Sequence, residues 1–230
     1  MDFRLLPVTT ADMCAFKADM QEAFQKGFED VFGATDGTIL PEKDMDRSLQ
    51  TTGAAAYKAV VDGAMVGGAI VVIDAETQHN HLDLLYVKYG AQTKGVGQLI
   101  WQTLEQMYPD TVEWETCTPY FEKRNIHFYI NKCGFVATEF HNKFHPCPDE
   151  PEDFIGDGGE GMFVFKKKMK SCRKTKSVCL ATDAFLLQSQ RGEEGDTHAD
   201  KGEYGCRYAY PDGGAYGQRI DLILAGKGNP

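Results

Sequence analysis

Hydrophobic positions along this chain switch between a period near two and a period near 3.6, and each switch marks an element. FRLLPV opens as a short strand. Thr9-x-x-Asp12 then has the form of a capping box, and behind it Met13, Phe16, Met20, Phe24 and Phe28 recur at helical spacing. A shorter helix is expected after Pro41. AAAYKAVV and AMVGGAIVVI flank Asp62-Gly63, and two β-rich runs joined by Asp-Gly predict a hairpin, with HLDLLYV as the next strand.

The helical period returns at Val96, Leu99, Ile100, Leu104 and Met107, on one face of a helix that Tyr108-Pro109 closes. TVEWETCT is predicted as a strand and EKRNIHFYINK as a helix ending at Gly134. FVATEFHNKF and GMFVFKKKM are two last strands joined by an acid-rich loop. The order βααβββαβαββ predicts a mixed α/β (α+β) domain over residues 1–170. Residues 171–230, following a basic run from Lys166 to Lys176, hold 9 of the 24 glycines and read as a C-terminal extension, either flexible or a small hairpin around Pro211-Asp212-Gly213-Gly214.

Composition narrows the class. At 230 residues, 42% hydrophobic and 11% aromatic, the chain can bury a core. No apolar run reaches the roughly 18 to 20 residues of a membrane span. The start, MDFRLLPVTTADM, lacks a signal-peptide layout, so a cytoplasmic location is expected. Seven cysteines at irregular spacing fit reduced thiols better than a disulfide framework. His141, His145 and Cys147 in HNKFHPC come nearest to a metal cluster, but no second ligand pair is evident, so no metal is expected.

The net charge of −10 sits in residues 1–170, with 16 basic and 26 acidic side chains, whereas 171–230 carry 8 of each. That field argues against a nucleic-acid partner and for an amine-bearing small molecule or peptide. The basic run has no amphipathic helix or lipidation motif beside it, so no membrane partner is expected. A homodimer is left open.

Candidate chemistry begins at Gln92-Thr93-Lys94-Gly95-Val96-Gly97, a glycine turn between a strand and a helix. Such a turn presents unpaired N–H groups at the positive end of the helix dipole, a setting for phosphate. Neither G-x-G-x-x-G nor G-K-[ST] is present. The turn instead resembles the acyl-CoA pyrophosphate loop of the GNAT superfamily of N-acetyltransferases, [QR]-x-x-G-x-[GA], matched by Gln92, Gly95 and Gly97. KRNIHFYINKCGF resembles that family's later motif, a helix bearing Asn and Tyr that ends in Gly-Phe. The resemblance spans about residues 3–169. It departs in two respects: the usual Tyr slot, five residues before the final Phe, holds Ile130, with Tyr129 preceding it, and Asn125 lies four residues ahead of Tyr129 where the family's Asn lies seven ahead.

The resemblance implies a central mixed, mostly antiparallel β-sheet flanked by helices, with acetyl-CoA as co-substrate. The N–H groups of Gln92, Thr93, Lys94, Gly95, Val96 and Gly97 would hold the pyrophosphate. Leu85, Tyr86 and Val87 would offer backbone groups to the cofactor where the HLDLLYV and TVEWETCT strands part, and Asn125 would join them. Tyr129 would protonate the departing thiolate. A free alkylamine has a pKa of about 10.4, so its attack calls for a base. Asp83 and His81 are the candidates, with Glu113 and Glu115 as rivals. The implied activity is transfer of an acetyl group to a primary amine by direct attack; the alternative is an acyl-CoA-binding regulatory or interaction module without efficient catalysis.

Overall fold

The structure is a computed structural model that describes residues 1–91, 95–146 and 161–169. The C-terminal extension, the acid-rich loop, Cys147 and residues Gln92, Thr93 and Lys94 lie outside the described residues. The elements run β1 (Phe3–Pro7), α1 (Met13–Phe32), α2 (Glu42–Gln50), β2 (Ala54–Val61), β3 (Ala64–Val72), β4 (His79–Val87), α3 (Val96–Met107), β5 (Glu113–Pro119), α4 (Lys123–His127), β6 (Val136–His141) and β7 (Met162–Lys168). This is the predicted order. Among the described residues no helix is long and apolar enough to cross a membrane.

The strands form one seven-stranded sheet in the order β1-β2-β3-β4-β5-β7-β6, antiparallel throughout except for the β4–β5 pair. The capping box is realised in part. Asp12 reaches back to the Thr9 N–H (2.9 Å) and hydroxyl (2.6 Å) at the head of α1. Lys58 of β2 also pairs with Asp12 at 2.5 Å, and these bonds pull its carboxyl down to about 2.

Two apolar layers cover the sheet. Phe16, Met20 and Met45 of α1 and α2 pack with Ile70, Leu84 and Tyr86 on one face. Ile100, Trp101 and Leu104 of α3 pack with Val71, Leu82, Trp114 and Phe165 on the other. Leu82 and Leu84 are two apart on one strand and would ordinarily share a face. A bulge divides them: Val71 pairs with Leu82 and Ile70 with Leu84, leaving Asp83 as the extra residue. The bulge lets β4 feed both cores, and it bends the strand where β5 leaves it. Close approach of α1 needs Gly68, because a Cβ there would lie 2.5 Å from the Phe16 ring.

Candidate active site

β4 and β5 are in register for three pairs, His79–Glu113, Asn80–Trp114 and His81–Glu115. The Thr116 hydroxyl then donates to the Leu82 carbonyl at 2.8 Å, and beyond that point the two strands pair no further. A parallel pair that separates leaves the facing N–H and C=O groups of both strands without ladder partners. Those groups border a cleft of about 590 Å³. Leu85, Tyr86 and Val87 line it from β4, and Thr118 and Pro119 from β5. Gly95, Gly97 and Gln98 line it from the start of α3, and the second half of α1 faces them.

α3 aims its N-terminus into this space. Its N-cap is Gly95, whose φ of +72° lies in the left-handed region that favours glycine, and no acidic residue occupies its first turn. Gly97 is a point of close approach, since a Cβ there would lie 3.4 Å from the Phe128 ring and 3.5 Å from Val87. Val96 points the other way: it is 1% exposed and packs in the α3 core, so only its backbone belongs to the helix terminus.

The later motif explains its own departure from the usual spacing. After α4 the chain continues as a π-helical turn, Phe128–Cys133, that ends at Gly134 with φ +78°. A π-turn absorbs one residue more than an α-turn. The extra residue moves Tyr129 into the place where the spacing alone put Ile130. Tyr129 is buried and lines the cleft, while Ile130 is 40% exposed. The Tyr129 ring sits among Phe128, Phe135 and Phe165 with centroids 5.4 to 5.8 Å away, and its hydroxyl is hydrogen-bonded to Thr116. Burial holds that hydroxyl well above the ordinary tyrosine value, so it stays protonated across the physiological range. Asn125 also lines the cleft and reaches the Thr118 hydroxyl at 3.5 Å.

His81 and Asp83 are brought together but not into the cleft. Their side chains lie 3.4 Å apart (Nδ1 to Oδ1), on the registered side of the strand opening. His81 borders a separate hollow of about 230 Å³ together with Glu113, Glu115 and Lys166. Glu115 is held there by Lys166 at 3.2 Å.

The carboxylate that does line the cleft is Glu122, at the junction of β5 and α4. α1 passes beside it, and a Cβ at Gly27 would be in van der Waals contact with its Oε1 at 3.6 Å. Burial raises its pKa, the Arg124 charge opposes the rise and the Asp30 charge adds to it. Among the described residues Glu122 has no ion-pair partner within 4 Å. Pattern reasoning missed it because a glutamate at a helix start ordinarily serves the helix dipole; only the fold shows it turned toward α1. Asp30, Phe24 and Phe121 line the same end of the cleft.

Cys133 is a buried free thiol whose pKa burial pushes up to about 12, which leaves it unionised near neutrality. Among the described residues the free thiols are Cys14, which is exposed, and Cys133.

Comparison with known proteins agrees with this geometry. The model of the acetyltransferase (GNAT) family matches residues 17–135. The chain is 47% identical over 168 residues to the uncharacterized protein YrkN of Bacillus subtilis, covering 70% of this chain and 90% of that one. It is similar in structure to the ribosomal-protein-S18-alanine N-acetyltransferase from Escherichia coli, with TM-score 0.55 and 14% identity, covering 77% of this chain and 100% of that one. A GNAT family acetyltransferase from Elizabethkingia anophelis, solved with acetyl-CoA bound, superposes with TM-score 0.53 at 13% identity, covering 73% of this chain and 98% of that one. At these identities the two structures speak for the fold alone.

Proposed function

The chain belongs to the GNAT acetyltransferase family, and from that premise we propose that it moves the acetyl group of acetyl-CoA onto a primary amine by direct attack in a ternary complex. The observation that carries this reading is the convergence on one cleft of the α3 N-terminus, the unpaired ends of β4 and β5, Tyr129 and Glu122.

Each part has a task. The N–H groups at the start of α3 bind the pyrophosphate, helped by the helix dipole and unopposed by any acidic residue in its first turn. The pantetheine arm lies between β4 and β5 and takes the place of the missing ladder, with Asn125 beside it. A β4 N–H in Leu85–Val87 polarises the thioester carbonyl and holds the oxyanion as the amine adds. Glu122 accepts the proton of the incoming ammonium; its raised pKa brings it closer to the working range of a general base. The tetrahedral intermediate then breaks its C–S bond, Tyr129 gives a proton to the departing thiolate, and the proton that the acylated nitrogen sheds restores the Tyr129 hydroxyl. His81 and Asp83, behind the strand opening, are the second candidates for the base and would act through a water relay.

The acceptor end pairs two carboxylates, Asp30 and Glu122, with the apolar surfaces of Phe24, Val31 and Phe121. That lining suits a cationic amine carrying an apolar body. The shifted tyrosine spacing favours the binding-module alternative, whereas Tyr129 lining the cleft beside the π-turn supports catalysis over it. The test is thiol release from acetyl-CoA across a panel of amines. Amine-dependent release, greatest with apolar primary amines, is expected; tight CoA binding with no release for any amine would favour the binding module.

A further inference from the structure

Away from the cleft, the outer edge of the sheet gathers three metal-ligating side chains. Glu139 and His141 are two apart on β6, hence on one face. A bulge between Ala137 and Glu139 shifts the register so that Glu139 stands opposite Val164. Beyond the strand, Asn142 and His145 exchange N–H to O=C bonds of 3.0 and 2.9 Å. The Asn142 side-chain oxygen also accepts from the N–H groups of Phe144 (2.8 Å) and His145 (3.1 Å). This turn folds His145 back over His141, and the two rings stack with centroids 5.4 Å apart and planes 6° from parallel.

The ring of His141 is 8% exposed as a residue, with Nε2 3.3 Å from a Glu139 oxygen and Nδ1 buried without a hydrogen-bond partner. One ligand atom from each of Glu139, His141 and His145 lies within 4.8 Å of the others. In a tetrahedral zinc site, bonds of about 2.0 to 2.1 Å set neighbouring ligand atoms about 3.3 Å apart. The Glu139–His141 edge has that length already, and the side chain of His145 is exposed and free to close the rest.

We propose that Glu139, His141 and His145 bind one divalent transition-metal ion of the zinc class. Two imidazoles and a carboxylate are the donor set that such ions favour, and hard cations such as magnesium or calcium take oxygen ligands instead. The sequence grouped the two histidines with Cys147; the strand supplies Glu139, two residues upstream, as a third ligand. Lys166 pairs with Glu115 at 3.2 Å and more distantly with Glu139 Oε1 at 3.9 Å, which leaves Glu139 Oε2, the oxygen nearer His141, for the ion. None of the three ligands borders the cleft, and β6 is the terminal strand, so the ion clips the edge of the sheet to its turn.

The test uses the full chain after chelator treatment, titrated with Co²⁺ and read by visible absorption, with Zn²⁺ as competitor. About one equivalent of Co²⁺, displaced by Zn²⁺, is expected. His145→Ala and Glu139→Gln alter exposed side chains and are checked for folding by circular dichroism. Each should weaken Co²⁺ binding by about ten-fold or more. No saturable uptake by the wild type, or wild-type affinity in either variant, overturns the site.

Discussion

The two ends of β4 satisfy their polar groups in opposite ways. At the registered end the backbone pairs with β5, and the polar side chains pair with one another: His81 with Asp83 at 3.4 Å, and Glu115 with Lys166 at 3.2 Å. At the open end β5 has turned away and the side chains of Leu84 and Tyr86 are committed to the core against α1. Backbone groups there face the cleft, and the one acidic side chain across from them on the β5 side, Glu122, lacks an ion-pair partner among the described residues. Strand pairing consumes hydrogen-bonding capacity, and its loss converts the same groups into a binding surface. Glu122, half-buried and without an ion pair among the described residues, has its pKa raised by burial, which favours its taking a proton.

The largest effect should come from closing the open end. Gly95→Glu puts a negative charge at the helix terminus proposed to receive the pyrophosphate, and CoA affinity measured by calorimetry should fall by about 1,000-fold. Gly95→Ala controls for the left-handed backbone, which costs about 1 kcal/mol in stability, and should retain most of the affinity. Near-normal CoA binding by a folded Gly95→Glu protein would break the assignment of α3 as the phosphate end.

The comparison itself is tested by one substitution at each end. Glu122→Gln should lower kcat/KM by about 100-fold, and Asp83→Asn by less than about 10-fold. The reverse order would move the base to the registered end. In the wild type the acidic limb of the pH–rate profile should lie above the ordinary glutamate range, because burial raises the Glu122 pKa, and Glu122→Gln should abolish that limb. Next in size, Tyr129→Phe should lower kcat by about 10-fold with KM for acetyl-CoA within about two-fold, as expected for a group that acts in the transition state. A raised KM with kcat unchanged would mark the hydroxyl as a binding group.

How much of this was readable beforehand differs between the two ends. The element order follows from local spacing and stands in the structure, and of the glycine turn the described part, Gly95 at φ +72° and Gly97, lies at the head of α3. The separation of β4 from β5 was implied only by resemblance, since pairing between distant strands leaves no local mark. His81 and Asp83 do share a face, as alternation predicts, yet the bulge at Asp83 and the strand opening place them outside the cleft. Spacing put Ile130 in the tyrosine slot because it assumes an α-helix, and a π-turn changes the count by one. Glu122 was missed for a like reason: that it lines the cleft depends on where α1 packs, which leaves no local mark.

The smallest expected effect contrasts a partnered carboxylate with Glu122 through stability. Asp12 has its pKa lowered from 3.8 to about 2, chiefly by the hydrogen bond from Lys58 and then by Thr9. A folded-state pKa below the unfolded one contributes stability above the unfolded value, and that contribution is lost as pH falls from 3.8 through about 2. Glu122 has the opposite sign. Its raised pKa means the folded state holds the proton more tightly, so ionisation destabilises the fold as pH rises from the unfolded value through the folded one. Lys58→Met should therefore lower Tm by about 2 °C at pH 7, with the gap to wild type closing near pH 2, the pair being partly exposed and screened. Glu122→Gln should leave Tm at pH 7 equal to or above wild type while activity falls. A drop in Tm for Glu122→Gln at neutral pH would mean that its carboxylate is held by the fold as firmly as that of Asp12, and the distinction between the two kinds of acid would fail.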